Sequence, residues 1–177
     1  MSKIAFIFPG QGAQKTGMGK DFYEQSQRAA EIYDAASKRL KEEMEIDIRT
    51  LCFDENDKLD QTAYTQAALV TTCLAMARTL EEKGVRADVT AGLSLGEYCA
   101  IAVAGGMSDL DAVWAVRKRG VLMEEAVPTG VGAMAAVLGL SAEQIEKVTE
   151  EIKGVTVANY NCPGQVVITG ETDSVDA

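Results

Sequence analysis

Along the first part of the chain, apolar residues first form a short continuous run and then recur at helical intervals. A short apolar run at 3–8 stops at Pro9-Gly10, which predicts a buried parallel strand that runs into a loop. Apolar residues at helical intervals predict a helix over about 21–43, and 51–59 is predicted to be a loop. Residues 64–82 are almost all helix formers with few polar positions, which is typical of a helix packed on more than one side.

The same succession of elements continues to about residue 128. A second strand is predicted at 88–92, and a glycine-flanked turn follows it at once. A helix of small apolar residues then extends to about Ala104, and Ser108 opens a longer helix that reaches Val127. Strands, turns and helices in alternation predict an α/β fold built on a parallel sheet.

The pattern changes after residue 128. The predicted elements are a strand, a helix and two strands, at 133–140, 141–152, 155–160 and 165–169. This β-α-β-β order is similar to a small ferredoxin-like subdomain of the split βαβ kind. Residues 172–177 have the composition of a helix start, so the chain is expected to end within an element. We therefore predict two parts: 1–128, the N-terminal part of a large α/β domain, and 129–177, an incomplete small ferredoxin-like subdomain.

Composition and charge narrow the function classes. The 177 residues are 47% hydrophobic and 25% charged, which is ordinary for one or two globular domains. Seventeen basic and 27 acidic residues give a formal charge of −10, which disfavours nucleic acid and anionic membranes as partners. No apolar stretch predicts a signal peptide or a membrane span, so a soluble cytoplasmic protein is expected.

The four cysteines are predicted to be buried free thiols in a reducing compartment. They stand at 52, 73, 99 and 162, and no pair of them has C-x-x-C spacing. The chain contains no histidine that could complete a zinc site. We therefore predict neither disulfides nor a metal site.

The pentapeptide at 92–96, Gly-Leu-Ser-Leu-Gly, matches the nucleophile elbow G-x-S-x-G. Such an elbow requires a sharp turn from strand to helix that projects the serine hydroxyl, and glycines on both sides leave room for it. Ser94 would also lie at a helix N-terminus, where free N–H groups favour developing negative charge. The alternative is a serine that merely caps a helix between two glycines, and the pentapeptide alone favours neither reading.

A second glycine-containing segment, 8–14, directly follows the first predicted strand. Gly10 and Gly12 raise the possibility of a dinucleotide-binding loop. The next glycine is Gly17, which gives G-x-G-x-x-x-x-G instead of the dinucleotide spacing. A phosphate-binding role is therefore disfavoured.

Taken together, the motifs resemble those of the malonyl-CoA:acyl carrier protein transacylase family and of the acyltransferase domains of polyketide and fatty acid synthases. The resemblance is carried by Pro-Gly-Gln-Gly, Gly-Leu-Ser-Leu-Gly-Glu-Tyr, Arg-Gly and Asn-Cys-Pro-Gly-Gln, at 9–12, 92–98, 119–120 and 161–165. It implies a hydrolase-like parallel-sheet core that contains the nucleophile elbow.

The resemblance also implies a role for each matching residue. Ser94 would take the malonyl group from coenzyme A as an ester. The backbone N–H groups of Gln11 and Leu95 would form the oxyanion hole, and Arg119 would bind the free carboxylate of the malonyl group. Two further residues would lie nearer the edge of the site, Gln66 and Asn161.

Arg119 can also be singled out by helical periodicity. It shares one face of the predicted helix with four apolar residues, Ala112, Val116, Met123 and Val127. An arginine on an apolar face needs an anionic partner, and its planar guanidinium matches a carboxylate. The alternative is an arginine that extends to solvent or pairs with a structural acid.

The leading hypothesis is an acyltransferase of fatty acid biosynthesis that moves malonyl from malonyl-CoA to acyl carrier protein through a Ser94 ester. No cofactor is expected, since malonyl-CoA is a substrate. The resemblance implies that the general base is a histidine, and this chain has none. We expect the chain to end before the position of that histidine. A complementing C-terminal fragment is therefore a candidate partner. Two alternatives stay open: an inactive fragment or carrier-binding module without the base, and an α/β-hydrolase esterase.

Overall fold

A computed structural model describes residues 3–128 and 130–177. The chain divides into two compact units, Met1–Glu124 and Glu125–Ala177. Within the described residues, every helix is too short or too polar to cross a bilayer.

The first unit contains two strands and six helices among its described residues. In chain order they are β1 (Ala5–Phe8), α1 (Lys20–Gln25), α2 (Gln27–Leu40), α3 (Ile48–Phe53), α4 (Thr62–Glu82), β2 (Val89–Gly92), α5 (Gly96–Val103) and α6 (Asp109–Ala126). Strands β1 and β2 pair in parallel, with Ala5 opposite Val89 and Phe8 opposite Gly92. The predicted α/β class with a parallel sheet is confirmed.

The expectation that the first strand is buried holds for one face only. Phe8 is buried, whereas Ile7 is 77% exposed and Val89, on the same face of the neighbouring strand, is 55% exposed. Successive strand residues point to opposite faces, so only alternate side chains of β1 reach the helices. An apolar run alone does not reveal whether both faces of a strand will be covered.

The predicted single helix over 21–43 is wrong, because the chain breaks into α1 and α2 at Ser26. This residue has an extended backbone, and its hydroxyl accepts a hydrogen bond from the Ala29 N–H as the N-cap of α2. The same hydroxyl pairs with the Thr79 hydroxyl on α4 at 2.9 Å. A serine inside a periodic stretch therefore starts a new helix.

The loop predicted at 51–59 is also wrong at its start, since α3 includes residues 51–53. This helix begins after Asp47, whose carboxylate accepts from the Arg49 N–H at 2.9 Å. The hydrogen bonds from Arg49 hold the pKa of Asp47 below its usual range. Six residues are too few to show a helical period, so the signal was the cap rather than the apolar spacing.

Helix α4 lies in the core of the first unit, as its composition predicted. It packs against α2, α3 and α5. Ala68, Val70 and Leu74 are fully buried, and burial of a leucine side chain typically contributes about 1.5–3 kcal/mol. The buried Tyr33 hydroxyl on α2 pairs with the Thr72 hydroxyl on α4 at 2.7 Å, so the α2–α4 contact is also hydrogen-bonded.

Helix α6 approaches the first turn of α4 at Gly120. A Cβ atom built on this glycine would lie 2.7 Å from the Thr62 carbonyl oxygen. The buried Arg117 stabilises the same contact, since its Nη1 donates to the Ala63 carbonyl oxygen at 2.5 Å. Its guanidinium also lies over the Tyr64 ring at 4.8 Å. The backbones of α4 and α6 are thus close at one point that leaves no room for a side chain.

The second unit has the predicted β-α-β-β order followed by a short helix. Its elements are β3 (Gly132–Leu138), α7 (Ala142–Glu151), β4 (Val155–Cys162), β5 (Gln165–Glu171) and α8 (Thr172–Asp176). The strands form an antiparallel sheet in the order β3-β5-β4. Helix α7 starts with a capping box between Ser141 and Gln144.

All four cysteines are free thiols, but they are not all buried. Cys52 and Cys99 are buried and Cys73 is partly buried, whereas Cys162 is exposed, contrary to expectation. Cys162 ends β4 beside the turn to β5, where side chains commonly face solvent. Burial raises the pKa of Cys52 to about 12, and a hydrogen bond with Cys73 together with burial raises the pKa of Cys99. Cys52 and Cys99 are therefore neutral at physiological pH.

Replacement of Ser26 by alanine tests the break between α1 and α2. The variant loses the N-cap of α2 and the hydrogen bond to Thr79, so we expect the free energy of unfolding to fall by about 1–2 kcal/mol. Lys38→Ala, at an exposed position within α2, is the control and should change it by less than about 0.5 kcal/mol. Urea unfolding measures both, and equal losses would contradict the capping role.

Replacement of Gly120 by alanine tests the close approach of α6 to α4. In an open helix this change stabilises by about 1 kcal/mol, because alanine is the better helix former. Here the new methyl group would contact the Thr62 carbonyl, so we expect a loss of about 1–3 kcal/mol instead. The melting temperature shows whether the substitution stabilises or destabilises the protein. An increase would show that α4 and α6 can move apart without loss of stability.

Candidate active site

The segment from Gly92 to Gly96 makes a tight turn between β2 and α5. Ser94 lies at its corner with φ = 49°, and it is the only non-glycine residue with positive φ among residues 3–128 and 130–177. Such a conformation typically costs about 1–3 kcal/mol and persists only where the surrounding structure holds it. The predicted strand–turn–helix geometry of a nucleophile elbow is confirmed, and the serine side chain is exposed.

Glycine is required at both ends of this turn. A Cβ atom on Gly96 would lie 2.5 Å from the Phe8 carbonyl oxygen and 2.6 Å from that of Pro9, and one on Gly92 would overlap the backbone of Gly96. The Leu93 N–H donates to the same Phe8 carbonyl at 3.1 Å. The turn is therefore packed directly on the end of β1, and this contact holds Ser94 in its strained conformation.

The loop after β1 lies beside the elbow. A Cβ atom on Gly10 would contact the Leu93 Cγ and carbonyl oxygen, both at 3.2 Å. Gln11 follows directly in this loop. Leu95 is the N-cap residue of α5, at the helix end where backbone N–H groups have no intrahelical acceptor, and its side chain is buried. The oxyanion-hole role of the Gln11 and Leu95 N–H groups stays a prediction.

Arg119 points its guanidinium at the nucleophile. Its Nη2 donates to Ser94 Oγ at 2.9 Å, and its Nη1 donates to Gln66 Oε1 at 2.6 Å. Gln66 is fully buried in α4, and its Nε2 donates to Met123 Sδ at 3.3 Å. The amide is thus held at both ends, and it fixes the orientation of the guanidinium in turn.

This geometry gives the arginine two chemical capacities. A hydrogen bond from a cation stabilises negative charge on the serine oxygen. The planar fork can also bind a carboxylate when one of its neutral partners is exchanged for it. Nothing in either capacity requires a metal.

The apolar face predicted around Arg119 is only partly buried. Ala112 and Val116 are buried, whereas Met123 is 40% exposed and Val127 lies beyond the end of α6. Arg119 therefore sits where the face passes from the core to the surface, and its side chain turns toward Ser94 and Gln66.

The predicted site residues fall into two groups. Ser94, Arg119 and Gln66 are brought together, with the Gln11 loop and Leu95 beside them. Asn161 belongs to the second unit, where its amide donates to Gln165 Oε1 at 3.1 Å. Its part in the site stays a prediction.

The direct bond between Gln66 and Arg119 was not predicted from the sequence. The two residues are 53 positions apart. The available signal was a long amide side chain in an otherwise apolar helix, because a buried amide requires hydrogen-bond partners. That rule predicts a partner without identifying it.

Comparison with known proteins supplies the family. The family described as "Acyl transferase domain" matches residues 5–177. A malonyl CoA-acyl carrier protein transacylase of Bacillus subtilis (strain 168) is 49% identical over 181 residues, which cover 99% of this chain and 56% of the relative. The crystal structure of such a transacylase from Clostridium perfringens is 41% identical with a TM-score of 0.87, and the match covers 99% of this chain and 55% of that one.

A third similar protein was solved as a complex. It is a type II PKS acyl-carrier protein in complex with its malonyl-transacylase; the match is 38% identical, has a TM-score of 0.89 and covers 99% of this chain and 57% of that one. The chain thus spans somewhat more than half the length of the relatives it matches. The family match over nearly all of its length shows that the chain belongs to the acyl transferase domain family, among relatives of the malonyl CoA-acyl carrier protein transacylases.

Proposed function

We propose that this chain is part of an acyltransferase that moves a malonyl group from malonyl-CoA to acyl carrier protein in fatty acid biosynthesis. The observation that carries the proposal is the 2.9 Å hydrogen bond from Arg119 Nη2 to Ser94 Oγ. It supports the proposal because a guanidinium, which can bind a carboxylate, lies within hydrogen-bond distance of the proposed nucleophile. In a malonyl thioester the reacting carbonyl and the free carboxylate are separated by one methylene, so the two groups match the two ends of this substrate.

The reaction has two half-reactions through an ester on Ser94. In the first, Oγ attacks the thioester carbonyl, its proton passes to a base, and the C–S bond breaks to release coenzyme A. In the second, the carrier thiol attacks the ester and regenerates the serine hydroxyl. The N–H groups of Gln11 and Leu95 bind the oxyanion in both, and one such donor typically contributes about 3 kcal/mol.

A serine hydroxyl needs a general base at neutral pH, and the 177 residues contain no histidine. We assign the base to a segment outside these 177 residues, in keeping with the greater length of the relatives. In this assignment 1–128 is the N-terminal part of the large α/β domain. Residues 129–177 are then part of the small ferredoxin-like subdomain, with Asn161 as a contributor to the edge of the site.

The proposed reaction also bears on cofactors, partners and location. Acyl transfer needs no redox or carbanion chemistry, so malonyl-CoA enters as substrate and no cofactor is proposed. The proposed partners are malonyl-CoA and acyl carrier protein, and the proposed location is the cytoplasm. A formal charge of −10 supports neither nucleic acid nor an anionic membrane as a partner. The esterase and the inactive binding module are less well supported, because the similar proteins are named as transacylases.

Intact-mass spectrometry after incubation with malonyl-CoA tests the proposed nucleophile. In the presence of the segment that supplies the base, we expect a mass increase of one malonyl group on the wild-type protein and none in Ser94→Ala, because the ester forms on Oγ. Ser37→Ala, in α2 and with no contact to Ser94 or Arg119, is the matched control and should acquire the group normally. An adduct that persists in Ser94→Ala would contradict the proposal, and turnover of simple esters without any adduct would favour the esterase.

The proposed carboxylate clamp predicts a change in donor preference. In Arg119→Ala we expect the rate of Ser94 malonylation to fall by about 10- to 100-fold, since a hydrogen bond to a charged group contributes about 1.5–3 kcal/mol. Acetylation by acetyl-CoA should change much less, because acetyl has no carboxylate. Arg86→Ala, at an exposed arginine, should leave both rates unchanged. Equal losses with the two donors would contradict the clamp and leave Arg119 a role at the nucleophile alone.

A further inference from the structure

The loop that carries Gln11 is tied to one short segment of the chain by side-chain hydrogen bonds. Gln14 Oε1 accepts from the Gly12 N–H at 2.8 Å, and Gln14 Nε2 donates to Asp60 Oδ1 at 2.9 Å. Gln11 Nε2 donates to Thr62 Oγ1, also at 2.9 Å. The loop is therefore held at two points by residues 60–62, at the N-terminal end of α4.

The same end of α4 holds the arginine. Gln66 is four residues after Thr62, so the two side chains lie on one face of the helix, one turn apart. Thr62 bonds the loop and Gln66 bonds Arg119 Nη1. Residues 67–72 of α4 are buried, so this part of the helix is a rigid support for both.

We propose that Gln14, Asp60 and Thr62 are positioning residues for acyl transfer. They fix the Gln11 N–H relative to Arg119, so that the first turn of α4 sets the distance between the oxyanion donor and the carboxylate-binding group. This selects an acyl donor with one methylene between its thioester carbonyl and its carboxylate. The inference rests on the proposed function, because it explains the distance between the Gln11 N–H and the Arg119 guanidinium by the length of the proposed malonyl substrate.

Loop geometry explains why the hydrogen bonds of Gln14 with Asp60 and of Gln11 with Thr62, the tethers of this loop, are needed. Gly12 has φ = 105° and Gly10 precedes it closely, so the backbone here is intrinsically mobile. A displacement of about 1 Å at a reacting group can lower a rate by about 100-fold. With the Gly12 N–H engaged by Gln14, the adjacent Gln11 N–H is the donor that the loop directs to the substrate.

The exposure of the tethers separates this role from a merely structural one. Asp60 lies at the surface and Gln14 and Thr62 are half-buried. Hydrogen bonds in such positions contribute little to the free energy of unfolding. Their loss should therefore slow the reaction far more than it lowers stability.

Reversal of the Gln14–Asp60 hydrogen bond gives a direct test. Gln14→Glu places two carboxylates against each other, so the loop moves away from α4. Asp60→Asn alone keeps an oxygen acceptor for Gln14 Nε2 and is the matched control. The double variant Gln14→Glu/Asp60→Asn restores the bond with its direction reversed, because the introduced asparagine amide would donate to the introduced glutamate carboxylate.

The readout is the rate of Ser94 malonylation as a function of malonyl-CoA concentration, measured with the segment that supplies the base present. We expect Gln14→Glu to lower the maximal rate by about 10- to 100-fold while the half-saturating concentration stays within about two-fold. Asp60→Asn should remain near wild type, and the double variant should recover to within about three-fold of it. Melting temperatures of all four proteins should be nearly equal.

Three results would overturn the positioning role. These are an unchanged maximal rate in Gln14→Glu, a double variant as slow as Gln14→Glu, and a loss confined to the half-saturating concentration. Thr62→Val and Thr62→Ser provide a second pair: valine should slow malonylation and serine, which keeps the acceptor, should not.

Amide hydrogen exchange separates a failure of this inference from a failure of the proposed function. In Gln14→Ala we expect the Gly12 amide to exchange at least about 10-fold faster than in wild type, because its acceptor is lost. A wild-type protein that acquires no malonyl group even with the segment that supplies the base present contradicts the proposed function. In that case, faster exchange at Gly12 still supports the tether and unchanged exchange overturns it.

Discussion

A long polar side chain can be buried in an apolar helix only if its hydrogen bonds are made inside the protein, and Gln66 meets this constraint. Its oxygen accepts from Arg119 and its nitrogen donates to the sulfur of Met123. Because α4 is packed in the core, Arg119 is directed at Ser94 by an element that cannot easily move. Gly120 lets α6 lie against the first turn of α4, and the neighbouring Arg119 reaches Gln66 from there.

The strained serine depends on a second set of close contacts. Ser94 keeps φ = 49° because Gly92 and Gly96 let the turn lie directly on the end of β1. Because the loop of Gln11 starts at the end of β1, the same contact keeps this loop beside the elbow. One backbone contact thus stabilises an unfavourable conformation and brings the loop of Gln11 to the nucleophile. The side chains that refine the position of this loop come from the start of α4, the helix that also holds the arginine.

Several features could be read directly from the chain. The turn of Ser94, the α/β class, the long buried helix and the β-α-β-β order of residues 132–171 depend on local composition and spacing. Other features were misread for identifiable reasons. The break at Ser26 was hidden within a continuous helical period, and α3 was too short to have one. The exposed face of β1 could not be foreseen, because an apolar run does not say how many faces will be covered.

The sequence by itself determined which residues could do chemistry here: a serine between two glycines, an arginine on an apolar helix face, and a glycine-rich loop after the first strand. These are local facts, since each depends on residues within about one or two turns of one another. Only the tertiary structure decided which of them meet. The bonds from Gln11 to Thr62, from Gln14 to Asp60 and from Gln66 to Arg119 join residues 46 to 53 positions apart. No periodicity records such pairings, because they arise from the packing of whole helices.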